Sequence, residues 1–185
     1  MKTLPSLSRT LALTVPAVAL TLGSSQGASD YLLEIEGIKG ESSDSKHADA
    51  IEIESFSWGA TNTGSMARTI TLALGKRIDK SSPQLFLACA KGNHIPQAVI
   101  TCRKTNGSGG KTDYYVVTLS DVMVSSYQSG GGGGGSGGTA GNTLPLDQIS
   151  FSYQKIEFKY IRTDEAGEPS EEPVVVTHDF TGTPQ

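Results

Sequence analysis

Towards its C-terminal end the chain reverses the phase of its hydrophobic alternation within two residues. Ile149, Phe151 and Tyr153 occupy one parity, Ile156, Phe158 and Tyr160 the other, with Gln154-Lys155 between them. Successive side chains of a strand point to opposite faces, so a single regular strand cannot turn both sets towards one core. Either a β-bulge resets the phase at that point or the strand passes from one sheet to another, and bends of this kind close barrels.

The same period of two recurs along the chain. Leu33, Ile35 and Gly37 alternate with Glu34 and Glu36; Ile51, Ile53 and Ser55 alternate with Glu52 and Glu54 before the phase passes to Phe56 and Trp58. Ile70, Leu72 and Leu74 alternate with Thr69, Thr71 and Ala73. Each pattern predicts a half-buried strand, with a polar loop over Lys39–Asp49 and a turn over Thr61–Gly64. Ser82-Pro83 changes the rhythm: Leu85, Phe86, Cys89 and Ala90 recur at helical spacing and Gly92-Asn93 stops the run. One short helix from Pro83 to near Lys91 follows. Ala98–Arg103 and Tyr114–Tyr127 flank Asn106-Gly107-Ser108-Gly109-Gly110, which reads as a wide hairpin. An acidic, Pro-bearing loop over residues 164–173 leads into a last strand, Pro173–Phe180. Many short strands and one helix predict an all-β chain forming a closed or nearly closed β-barrel, because closure removes unpaired edges.

Residues 1–29 stand outside that pattern. Lys2 and Arg9 precede the apolar run Leu11–Leu22, and Gly23-Ser24-Ser25-Gln26-Gly27-Ala28 supplies small residues. The run is short of the about 20 residues a membrane span needs, and the order of parts is that of a secretory signal peptide, cleaved near residues 25–29. No Cys stands in residues 23–29 just after the run, so nothing points to a lipid anchor. The mature chain, residues 30–185, is then expected to form a single exported domain with no membrane insertion. Removing two cations and no acid takes the net charge from −4 to −6. A chain this acidic has no electrostatic footprint for nucleic acid or anionic lipid.

Cys89 and Cys102 are the only cysteines. In an oxidising compartment they could close a loop worth a few kcal/mol. Two buried small apolar side chains are the equal alternative, since spacing does not establish the Cα separation a bridge requires.

Tests for chemistry return nothing. Gly130–Gly138 is nearly pure glycine but lacks the Gly-Lys-Ser/Thr and following helix of a phosphate loop, so residues 129–142 read as a flexible connector, one that could order against a neighbouring subunit. His47, His94 and His178 stand alone, without zinc-ligand spacing. No Gly-x-Ser-x-Gly elbow opens a helix, and Cys89 sits among apolar neighbours rather than near cations that would activate it. Paired carboxylates Glu34/Glu36 and Glu52/Glu54 fall on polar strand faces, where a solvated or subunit-facing role is expected. The expectation is no catalytic, cofactor-binding or metal-ligating residue, and no enzyme.

Several short signatures occur in a fixed order: Ile38-Lys39-Gly40-Glu41-Ser42, Ser55-Phe56-Ser57-Trp58-Gly59, Gly64-Ser65-Met66, Ile78-Asp79-Lys80-Ser81-Ser82-Pro83-Gln84-Leu85, and His94-Ile95-Pro96-Gln97-Ala98. In that order and spacing the chain resembles the haemolysin-coregulated proteins (Hcp), which form the inner tube of the bacterial type VI secretion system. The resemblance spans about residues 30 to 180. It implies a β-barrel of two sheets with a helix at its side, six copies closing into a ring, rings stacking into a tube, and a bore that holds effectors. Implied partners are further copies of the chain, effectors, and spike or sheath proteins. It places ring contacts near Trp58, Gly59, Gly64, Ser65, Met66 and Arg68, with Lys76 on the same segment, and lets the glycine loop, including Gly130, Gly133 and Gly138, touch the next ring.

The chain departs from that pattern in three places. Ala67-Arg68-Thr69-Ile70 runs almost directly into strand where the family carries a longer insertion, and Thr177-His178-Asp179 stands where Gly-Trp-Asp is common. Family members are also usually made without a leader. The alternative reading is therefore an exported relative that builds rings or fibres outside the cytoplasm, without a contractile apparatus. An effector that uses the barrel as carrier is weaker, because no extra catalytic domain follows Phe180.

Overall fold

A computed structural model describes residues 30–60, 70–131 and 145–181. The leader, the turn carrying Gly64, Ser65, Met66 and Arg68, and the glycine loop with Gly133 and Gly138 lie outside the described residues. In chain order the elements are β1 (Asp30–Ile35), β2 (Ile51–Ile53), β3 (Ser55–Ala60), β4 (Ile70–Arg77), α1 (Ser82–Lys91), β5 (His94–Thr105), β6 (Lys111–Gly130), β7 (Leu146–Ser152), β8 (Lys155–Tyr160) and β9 (Val174–Asp179).

All strand pairs are antiparallel, and the main path runs β2-β1-β5-β6-β7-β4-β3. Its two ends are consecutive in the chain, separated only by Glu54. Residues 51–53 pair with β1, whereas Glu54 donates its amide to Gly75 O at 2.8 Å and residues 55–60 pair with β4. One bent strand thus serves both edges of the path, which makes the sheet barrel-like although its strand pairing, among the described residues, does not close into a ring. The phase change seen after Ile53 is that transfer.

The reversal at Gln154 has the same cause. β7 and β8 both pair with β6, but β7 has β4 on its other side and β8 has β9. The strand changes outer neighbour at Tyr153-Gln154, and β6 flips with it: Val117 and Leu119 are buried before the bend, Val122 and Val124 after it. Asp121, at the flip, has φ 51°, a left-handed conformation that Asp tolerates better than branched residues. Gln154 N bonds Ser120 O at 3.1 Å across the bend. β8 and β9 consequently lie off the main path as a two-stranded wing, rooted in the core by Ile156 of β8.

The core collects Leu33, Ile35, Ile51, Leu72, Leu74, Ile100, Val117, Leu119, Ile149 and Phe151 from both halves, with Leu85 and Ala88 of α1. Each such side chain contributes about 1.5–3 kcal/mol when fully buried. α1 begins at Ser81-Ser82-Pro83 and ends at Gly92, whose φ of 63° lets the last carbonyls be capped: Gly92 N meets Cys89 O at 3.2 Å and Asn93 N meets Ala88 O at 3.1 Å. The helix starts one residue earlier than the sequence predicts, at Ser82.

The bridge between Cys89 and Cys102 is not formed; both thiols are free. Cys102 is turned into the core, where burial pushes its thiol up to about 11, and Cys89 sits half-buried on α1.

Candidate functional site: an assembly surface above two buried ionic anchors

Three local constructions shape the surface, the first lying beneath α1. Lys76 continues the buried parity of Leu72 and Leu74, and Asp147 that of Ile149 and Phe151, so the β4–β7 ladder brings the two charges together inside the protein. Lys76 Nζ lies 2.8 Å from Asp79 Oδ1, 3.3 Å from Asp147 Oδ2, 2.9 Å from Ser82 Oγ and 2.7 Å from Arg77 O. Ser82 Oγ donates to the same Asp147 oxygen. Burial opposes the Asp147 charge, yet hydrogen bonds, that from Ser82 foremost, hold its carboxyl below the usual value. The network fastens the start of α1 to the barrel. Lys76 is thus wholly buried, its ammonium consumed inside the protein rather than offered on the surface of its segment.

A second anchor holds the loop between β1 and β2. Arg103, buried on β5, donates to Asp113 Oδ1 and Asp44 Oδ2, each at 2.6 Å. His47 sits between Glu34 and Asp113, each ring nitrogen 3.2 Å from a carboxylate oxygen. Neither histidine pairing was visible in sequence spacing, because the partners lie 13 and 66 positions away. Glu34 is thus engaged within the subunit rather than simply solvated. His94 likewise meets an acid, Asp121, at 2.7 Å.

The third construction is an aromatic seam. Tyr31, Phe56 and Trp58 follow one another at 5.1 and 5.2 Å between ring centroids, and Trp58 then meets Phe158 at 5.8 Å and Tyr115 at 6.0 Å. The seam bridges β3 to the root of the wing. Trp58 is 36% exposed, so it both seals the barrel and shows a face to solvent. Beside it Tyr160, Val174 and Val176 lie open on the wing, the valines 60% and 56% exposed. A separate apolar group, Ile78, Phe86, Leu87 and Leu146, is exposed at the α1 end, with Phe86 against Tyr127 at 5.7 Å. Between β3, β4, β7 and β6 runs a groove of about 320 Å³, lined by Ser55, Ser57, Gly75, Gln148 and Ser150 among others, with no charged side chain.

Of the residues expected at ring contacts, Trp58 and Gly59 fall on β3 beside the seam and Gly130 ends β6. Among the described residues no cluster of His, Cys, Asp and Glu could hold a metal ion, and no helix is long and apolar enough to cross a membrane.

The family profile described as "Type VI secretion system effector, Hcp" matches residues 32–160, which spans β1 to the end of β8. The chain belongs to the Hcp family. Among Hcp proteins, Protein hcp1 of Pseudomonas aeruginosa is 39% identical over 137 residues, covering 69% of this chain and 84% of that protein. Solved Hcp structures superimpose closely. Hcp1 from Salmonella typhimurium gives a TM-score of 0.68 at 30% identity, covering 83% of this chain and 96% of its own. Hcp2 from the same organism gives 0.64 at 27%, covering 84% and 99%. The fold is accordingly the barrel-like Hcp fold, and the family is one of type VI secretion tube proteins.

Proposed function

We propose that the chain is a structural subunit that closes into rings, with the hexamer as the unit, and that the rings stack into a tube able to carry effectors. Supporting this reading, beside family membership, is one observation: the barrel exposes two separate apolar surfaces, the Trp58–Tyr160–Val174–Val176 face and the Ile78–Phe86–Leu87–Leu146 face. They flank different halves of β6, near Tyr115 and near Tyr127, separated by about 40 Å of extended strand. A head-to-tail ring needs two unlike faces on each copy, whereas a two-fold dimer needs only one.

Native mass spectrometry of the chain beginning at Asp30 tests it. Hexamers are expected, and Val176→Glu or Phe86→Glu should each reduce them to monomers while the mixed pair of variants forms only truncated arcs. Monomers of the parent chain at tens of micromolar would overturn the proposal.

The leader favours a second reading on its own account. Residues 1–29 have the parts of an export signal, so the rings would assemble outside the cytoplasm, in the periplasm or extracellularly. The N-terminal mass of the protein recovered from culture fluid and periplasm decides: a start between residues 26 and 30 supports export by the leader, an intact Met1 refutes it.

A further inference from the structure

We propose that, while still attached, the leader's apolar run Leu11–Leu22 docks on the exposed Trp58–Tyr160–Val174–Val176 face and so masks one of the subunit's two apolar surfaces. The docking needs only the fold; its effect on assembly rests on the ring-forming reading above.

The register supplies the route. Asp30, where the leader joins the barrel, opens β1, and the next residue, Tyr31, stands in one cross-strand row: Tyr31 opposite Cys102, Cys102 opposite Tyr115, Tyr115 opposite Tyr160, Tyr160 opposite Val174. Four steps between neighbouring strands amount to roughly 19 Å. Residues 23–29 join the apolar run to Asp30, and seven extended residues reach roughly 23–25 Å. The tether is thus long enough to bring the run to the wing face.

The surface at the end of that tether matches the run in kind. Val174 pairs with Tyr160 and Val176 with Phe158, so these four side chains share one face, next to Trp58 and Tyr115. Among the described residues β9 pairs only with β8. Isolated apolar side chains on a surface are ordinary, but a contiguous group of aromatics and valines on an outer wing is the kind that takes a partner.

Charge fixes the direction. Followed back from Asp30, the run ends at Leu11 and is succeeded by Arg9 and Lys2; followed back from Val174, β9 is preceded by Glu172, Glu171, Glu168 and Glu165. That acidic loop is held in place, since Gly107 N bonds Ala166 O at 2.6 Å and Asn106 Nδ2 bonds Glu168 Oε1 at 2.9 Å. Crossing the wing from β1 to β9 brings the two leader cations to these carboxylates. Glu171 already pairs with Arg162 at 2.6 Å, so the cations would meet chiefly Glu165, Glu168 and Glu172, and the opposite direction would carry them away from all of these.

Trp58 is the chain's sole tryptophan and lies inside the proposed footprint, so its fluorescence reads the docking directly. The full chain, translated without membranes so that Met1 is retained, is compared with the chain beginning at Asp30. That shortened chain holds every described element, the whole buried core and the family match. Both are measured with acrylamide below the concentration at which the shortened chain self-associates. The full chain should be quenched at least threefold less and emit further to the blue, and Leu13→Asp with Leu20→Asp in the full chain should restore the quenching of the shortened one. Equal quenching in the two chains would overturn the proposal, as would a full chain that only aggregates, since its run would then be uncovered. Native mass spectrometry at higher concentration separates the two readings: a shielded Trp58 with a monomeric shortened chain refutes ring formation alone, whereas rings formed equally by both chains refute the masking.

Discussion

Lys76 and Asp147 stand directly opposite one another in the β4–β7 ladder, both wholly buried, with Nζ 3.3 Å from Oδ2. Removing one partner of such a pair leaves an uncompensated charge in the interior, at a cost of about 3–5 kcal/mol, whereas replacing both with apolar residues is far milder. Lys76→Met should therefore lower the urea midpoint severely, and Lys76→Met with Asp147→Leu should recover much of the loss. Equal destabilisation by the single and double variants would show that the pair does not act as a unit.

Acid should release the β1–β2 loop before the barrel. The Arg103 guanidinium, bonded to Asp44, together with the amides of Lys46 and His47, holds the Asp44 carboxyl at about 2, below its ordinary 3.8. A carboxyl depressed in the folded state contributes stability that is complete above its unfolded value and is lost as the pH falls towards the folded one. Amide exchange, corrected for intrinsic rates, should show the Ser42 and Asp49 amides losing protection between about pH 4 and pH 2, while those of β6 keep theirs. Arg103→Gln should abolish that step.

Gly40 has no room for a side chain. A Cβ there would collide with the backbone of Ala50 and come within 2.5 Å of Ile51 Cα, and backbone cannot swing aside as a flexible side-chain tip can. Gly40→Ala should cost about 1–3 kcal/mol, the range for overpacking, read as a lowered midpoint of thermal unfolding. Gly59→Ala, where nothing lies within 4 Å of the added Cβ, is the control and should change little.

Asp121 should tolerate Asn and reject Val. With φ at 51°, a β-branched residue is strained by about 1–2 kcal/mol, whereas Asn adopts that conformation readily. The pair to His94 is exposed and contributes little to stability, so its loss in Asp121→Asn should go unnoticed in a denaturant titration.

The bends, the helix and the wide hairpin are written in local pattern: the phase shifts after Ile53 and after Tyr153 mark the two places where the strand changes neighbour, and Ser82-Pro83 to Gly92 marks α1. Lys76 was legible too, had parity been allowed to outrank charge, because it shares the buried side of Leu72 and Leu74. The settings of His47 and Arg103 were not, since Glu34, Asp44 and Asp113 reach them only through long-range pairing of β1, β5 and β6. Nor was the exposure of Val174 and Val176, which follows from the place of β9 outside β8, its only partner among the described residues.

The passage through Glu54 from one edge of the path to the other also bears on how such a chain can diverge. Because β2 and β3 form one strand whose halves serve opposite edges, inserting or deleting a residue at Glu54 would invert Phe56 and Trp58 relative to Ile51 and Ile53, and one elsewhere between Ile51 and Ala60 would shift the pairing with β1 or β4. Length change is then confined to the connections, and descendants should differ in loop size while these ten positions are inherited as a ruler of fixed length.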